Sequence, residues 1–143
     1  METLQRLTRR QIDALAAIGA SETAERGVPL KATAAALRVS PPSALDHLSS
    51  LEEMGLIVRH RGKSRLTPKG RGTLVEYRRH HRLAESLFSQ LGLPPDATCE
   101  AAREVDLAIS HHTVERICAA EGHPSVCPHG APITPCSEEN REE

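Results

Sequence analysis

Apolar residues at Ile12, Leu15 and Ile18 fall on one face and follow Thr8, which predicts a helix capped by Thr8 and running to about Glu25. Gly27-Val28-Pro29 ends it, and Leu30 to Leu37 reads as a short Ala-rich helix. Ser40 then stands as an N-cap before Pro41, where a missing N–H costs nothing, and a third helix carries Ala44, Leu45, Leu48, Leu51 and Met54 before stopping at Gly55. Leu56 to His60 predicts a strand, Arg61 to Ser64 a basic turn, and Arg65 to Thr67 a returning strand. Thr67 caps a long helix from Pro68 to about Leu91, broken at Gly92-Leu93-Pro94-Pro95. One or two further helices fit between Asp96 and Gly122, followed by a Pro-rich hook and an acidic end without periodicity.

Helix, short helix, tight turn, helix and basic hairpin is the order of a winged helix-turn-helix. The expected fold class is therefore mainly α: an N-terminal winged helix-turn-helix with a small two-stranded wing, then a C-terminal helical dimerisation domain. The expected boundaries are 1–72 for DNA binding, 73–136 for metal binding and dimerisation, and 137–143 for an acidic tail. In such a fold the helix after the turn enters the major groove by its N-terminal end. Ser40, Pro42, Ser43, Asp46 and His47 are the candidates there, and Arg59, Arg61, Lys63 and Arg65 alternate along the wing toward phosphates.

Composition sharpens this picture. Aromatic residues make up 1% of the chain, so the core must be aliphatic, which suits packed helices and leaves a further face to bury in a homodimer. Residues 1–80 hold 14 Lys and Arg against 8 Asp and Glu, while residues 81–143 hold 4 against 11. The basic half calls for a polyanion such as double-stranded DNA, and the acidic half for cations or self-association. No apolar run follows Met1 and none is long enough for a bilayer, so the expected location is the cytoplasm, with no membrane partner. Four cysteines in a reducing compartment point to thiols or metal ligands rather than disulfides. An enzyme is not expected: there is no Gly-rich phosphate loop and no nucleophile with a placed base.

Three ordered segments carry a family likeness. They are Val39-Ser40-Pro41-Pro42-Ser43 with Leu51 to Ile57; Leu66-Thr67-Pro68-Lys69-Gly70 leading to His81-Arg82-Leu83-Ala84-Glu85; and Val114 to Ile117 with Gly122-His123-Pro124 and Cys127-Pro128-His129-Gly130-Ala131-Pro132-Ile133. Together they resemble the diphtheria-toxin-repressor family of iron- and manganese-dependent regulators over about residues 8–135. The resemblance implies a winged-helix domain, a helical dimerisation domain and a metal corepressor acting on a palindromic operator. The SH3-like third domain of longer members is not expected.

The resemblance also nominates ligands. His81 and Glu85, four apart on one helix face, match a metal-binding pair of the family, and Cys99 falls where some members place a His. Glu100 is adjacent to Cys99, and Asp13 lies where manganese-sensing members place a carboxylate. In the run Arg103-Glu104-Val105-Asp106-Leu107, Asp106 keeps a family carboxylate, but Arg103 and Leu107 cannot ligate and the usual primary site is damaged. Imidazole and carboxylate suit Fe2+ or Mn2+, while a thiolate brings in Zn2+ or Co2+. The alternative is an iron–sulfur or redox-sensing regulator in which Cys99, Cys118, Cys127 and Cys136 hold a cluster. A third reading is a winged helix without an effector. His111 and His112 read as ordinary exposed helix residues.

Overall fold

The computed structural model describes residues 2–136, and the acidic tail expected over 137–143 lies outside them. The chain divides into two compact units, Leu7–Leu74 and a second made from the chain on either side of it. The first unit holds α1 (Arg9–Ser21), β1 (Val28–Pro29), α2 (Leu30–Leu37), α3 (Pro41–Glu53), β2 (Ile57–His60) and β3 (Lys63–Leu66). The second contains the 3₁₀ turn Leu4–Arg6, α5 (Pro95–Val105) and α6 (His111–Ala120). The helix α4 (Pro68–Gln90) starts in the first unit and continues in the second. The architecture is mainly helical, a winged helix followed by a helical domain. No helix among the described residues is long and apolar enough to cross a membrane.

In the first unit the aliphatic stripe of α1 (Ile12, Leu15, Ile18) is fully buried, as are Leu51 of α3 and Leu56. Each such side chain contributes about 1.5–3 kcal/mol by leaving water. Thr8 and Gln11 form a capping box at the start of α1, and Ser40 accepts from the Ser43 N–H at the start of α3. Arg38 ends α2 in the left-handed region at φ 55°, its N–H donating to the Ala34 and Ala35 carbonyls.

Three details differ from the sequence expectation. First, α1 stops at Ser21 rather than near Glu25, because tertiary bonds take the next residues. Glu22 is extended, with its carboxylate accepting from the Leu66 N–H at 2.8 Å and pairing with Arg71 at 3.1 Å. Second, Val28–Pro29 forms a third strand on the edge of the sheet, paired with β3 in the order β1-β3-β2. An edge suits a Pro that has no N–H to give. Third, the wing turn is only Arg61-Gly62, both at positive φ (51° and 74°), so Lys63 and Ser64 belong to β3.

The Leu66-Thr67-Pro68-Lys69-Gly70 segment docks the start of α4 onto the end of α3 and the start of β2. The Thr67 N–H donates to the Leu56 carbonyl at 3.0 Å and its hydroxyl to the Gly55 carbonyl at 2.7 Å. Gly70 sits so close that a Cβ would stand 2.0 Å from the Leu56 carbonyl oxygen, so no side chain fits there. In the second unit Leu83, Val114, Cys118, Cys127, Ile133 and Cys136 form one buried cluster. The hook after α6 is ordered by the Val126–Pro132 bridge and by the Ile133 N–H on the Ser125 carbonyl.

Candidate metal centre

The candidate centre lies in the second unit and begins with two side chains one turn apart on α4. Glu85, 3% exposed, points one carboxylate oxygen (Oε1) at Nε2 of His81, 3.1 Å away. Cys99 on α5 places its Sγ 3.5 Å from the same nitrogen. The other ring nitrogen, Nδ1, donates to the Asp106 carboxylate at 2.9 Å, and Asp106 is fully buried at the end of α5. A carboxylate can only accept, so Nδ1 is committed as a donor to Asp106 and Nε2 is the ring nitrogen placed to ligate an ion beside Glu85 and Cys99. Asp106, expected among the ligands, contacts His81 on the ring nitrogen facing away from Glu85 and Cys99.

The hook supplies a second imidazole arranged the same way. His129 donates from Nε2 to the Pro95 carbonyl at 2.8 Å, and its Nδ1 meets the other oxygen of Glu85 (Oε2). Cys127 completes a group with Glu85 and His129, as Cys99 does with His81 and Glu85. Each imidazole is anchored through one nitrogen and presents the other to the same buried carboxylate. With donor bonds of about 2.0–2.3 Å, the His81–Glu85 and His81–Cys99 separations subtend about 95° and 107° at a common centre, within reach of real coordination geometries. Two three-donor groups, His81–Glu85–Cys99 and Glu85–Cys127–His129, share the buried Glu85 carboxylate through its two oxygens, and each set of imidazole, carboxylate and thiol fits a divalent transition metal. Burial and then the Glu85 charge push the Cys99 thiol up, and the Pro95 carbonyl followed by Glu85 holds the His129 imidazole above its usual value.

Other predicted positions fall elsewhere. Glu100 is exposed and joins none of the ligand-competent groups among the described residues. Asp13 is half-buried on α1 in the first unit. Arg103 is exposed and acts on Cys99 through its charge, while Leu107 is half-buried. The four thiols are shared among different groups: Cys99 with His81 and Glu85, Cys127 with Glu85 and His129, and Cys118 and Cys136 with His123. His111 is exposed at the start of α6, as expected, and lies beside Glu76 and the fully buried His80. That group was missed although Glu76 and His80 repeat the four-residue spacing of the pair singled out. His129 was not among the predicted positions, because nothing in its spacing reveals that the hook folds back to α4.

In the winged-helix unit, Ser40, Pro42, Ser43 and Asp46 are exposed at the start of α3 and His47 is half-buried. Arg61 and Lys63 are exposed on the wing. Arg59 is half-buried, its guanidinium 3.5 Å from the Ser49 hydroxyl. Arg65 is committed elsewhere, with one guanidinium nitrogen (Nη2) donating to the Thr23 and Ala24 carbonyls at 2.7 and 2.8 Å. It holds the loop after α1 instead of standing free for phosphate.

Residues 67–135 match the family of iron dependent repressor metal binding and dimerisation domains. No curated protein matches the chain in sequence. Among solved structures, a hypothetical protein from Sulfolobus solfataricus is similar at 27% identity and TM-score 0.83, over 90% of this chain and 99% of that one. IdeR of T. acidophilum is 26% identical with TM-score 0.66, over 89% of this chain and 59% of that one. A manganese-dependent transcriptional repressor in complex with manganese is 32% identical with TM-score 0.71, over 87% of this chain and 57% of that one. This chain thus spans a little under three fifths of the length of the last two. Over residues 67–135 the chain matches the iron dependent repressor metal binding and dimerisation domain, and nearly nine tenths of it is similar in fold to these repressors.

Proposed function

We propose that the protein is a metal-dependent transcriptional repressor that binds a palindromic operator as a homodimer and grips it when a divalent ion occupies the centre on α4. The family is one of regulators rather than enzymes. The observation that carries the reading is Glu85, buried between two imidazoles that are each anchored at their far nitrogen. In this reading His81, Glu85 and Cys99 hold the ion, and Cys127 and His129 form a second donor group on the other oxygen of Glu85. Thiol donors favour Fe2+, Co2+ or Zn2+ over Mn2+. In the finer form of this reading the ion takes a further ligand from the DNA-reading unit, for which Asp13 is the candidate. Occupancy then selects the conformers whose paired α3 helices match successive major grooves, and the metal-free ensemble binds only through its competent fraction.

Operator selection on the full-length protein, followed by binding titrations with and without each metal, tests this. Metal should tighten operator binding at least ~10-fold, the lower end of common coupling energies. His81→Ala should abolish that gain while leaving metal-free binding intact. Equal operator affinity with every metal and with chelator would refute the reading.

A further inference from the structure

A second group of donors lies at the other end of the hook, and it uses none of the residues just described. Cys118 sits in the last turn of α6, 3% exposed, and Cys136 closes the hook, 6% exposed. Between them, Gly122 and His123 both adopt the left-handed region, at φ 75° and 55°. The His123 N–H donates to the Cys118 carbonyl at 2.8 Å, which turns its imidazole back over the end of the helix. A left-handed His carries strain of about 1–2 kcal/mol that Gly would avoid.

The outcome is that Nδ1 of His123 lies 3.5 Å from Cys118 Sγ and 3.4 Å from Cys136 Sγ. An imidazole nitrogen has one lone pair, so it can accept from only one of two thiols. An ion among the three donors serves all of them. With Zn–S of about 2.3 Å and Zn–N of about 2.05 Å, tetrahedral bonding places nitrogen and sulfur about 3.6 Å apart, close to both observed separations. A cavity of about 460 Å³, lined by these three residues with Pro124, Ser125 and Ile133 among others, opens onto the group. Arg79, paired with Glu115 at 2.5 Å and donating to the Thr134 carbonyl at 3.0 Å, partly offsets the burial that pushes the Cys118 thiol up.

We propose that Cys118, His123 and Cys136 form a separate site for one Zn2+ ion, with the fourth tetrahedral position open to the cavity for water or an exogenous ligand. Two thiolates and an imidazole are a softer set than that around Glu85, so the site discriminates toward zinc and against Mn2+. Its role is to pin the hook onto α6.

The test uses the full-length, reduced, metal-free chain carrying His81→Ala and His129→Ala, which strips two donors from the first centre. Anaerobic titration with Co2+ should give one equivalent with a strong sulfur-to-cobalt charge-transfer band, displaced stoichiometrically by Zn2+. Adding His123→Asn, which tolerates the left-handed backbone, should weaken Zn2+ binding more than about 100-fold, beyond what an outer-shell change costs. Cys136→Ser should remove the band, and circular dichroism reports whether that variant folds. If it does not, His123→Asn decides alone. No charge-transfer band in the background protein, or a band and Zn2+ affinity unchanged by His123→Asn, would overturn the proposal. Because His123→Asn touches only the second group while the first centre lacks both imidazoles throughout, the two readings fail or succeed separately.

Discussion

Replacing Asp106 by Asn separates a residue that orients a ligand from one that is a ligand. Asp106 is fully buried and accepts from His81 Nδ1 at 2.9 Å, on the far side of the ring from Glu85 and Cys99. Asn keeps the size and offers a neutral carbonyl, which accepts roughly half as strong a bond as a carboxylate. Outer-shell losses of this kind cost about 10–100-fold in metal affinity, or about 1.4–2.7 kcal/mol. His81→Ala deletes a donor and should cost more. Competition against a chromogenic chelator with Zn2+ and Co2+ measures both, with melting in EDTA as a control for the fold. Asp106→Asn falling as far as His81→Ala would mean that Asp106 ligates the ion directly. No loss at all would mean that the bond does not hold the ring, and either result refutes the arrangement described.

Two glycines of α4 should respond to Ala with opposite signs in urea denaturation. Gly70→Ala should lose about 3 kcal/mol or more, since the Leu56 carbonyl occupies the Cβ position, whereas Gly72→Ala meets open space and should gain about 1 kcal/mol. His80 is held down to about 4 by burial, then by the charges of His111 and Arg79. Its folded value lies below its unfolded 6.5, so the stabilisation is complete above pH 6.5 and drains away toward pH 4, by about 3 kcal/mol in all. Urea midpoints of the metal-free protein across that window should fall, and His80→Leu should flatten the fall; an unaltered slope would contradict the burial argument. On operator DNA, Arg61→Ala and Lys63→Ala should each reduce the salt slope by about 0.9, while Arg65→Ala should instead lower stability by about 1–2 kcal/mol through its lost carbonyl bonds.

Local chemistry was the legible part of the fold. Thr8, Ser40 and Thr67 announce their helices because a cap is a bond between neighbours, and Gly55 marks a stop by its φ of 75°. The early end of α1 was not legible, because Glu22 leaves the helix for partners at Leu66 and Arg71, more than forty residues away. The same divide runs through the candidate metal centre. His81 and Glu85 are readable from a four-residue spacing, and Cys99 only from a family likeness. His129 and His123 come to their partners through the course of the hook, which has no periodicity to read. Asp106 was readable as a carboxylate near the site, but which side of His81 it occupies is a matter of helix packing.

Arg38 and Arg61 occupy backbone slots that glycine would fill without strain, one at the corner between α2 and α3, the other at the hairpin tip. Each carries a conformational penalty of about 1–2 kcal/mol, and each leaves a permanent positive charge exposed to solvent. Firmness and grip therefore pull against each other in this unit. On the proposed function, glycine at either corner would make a sturdier domain that carries less positive charge toward a polyanion.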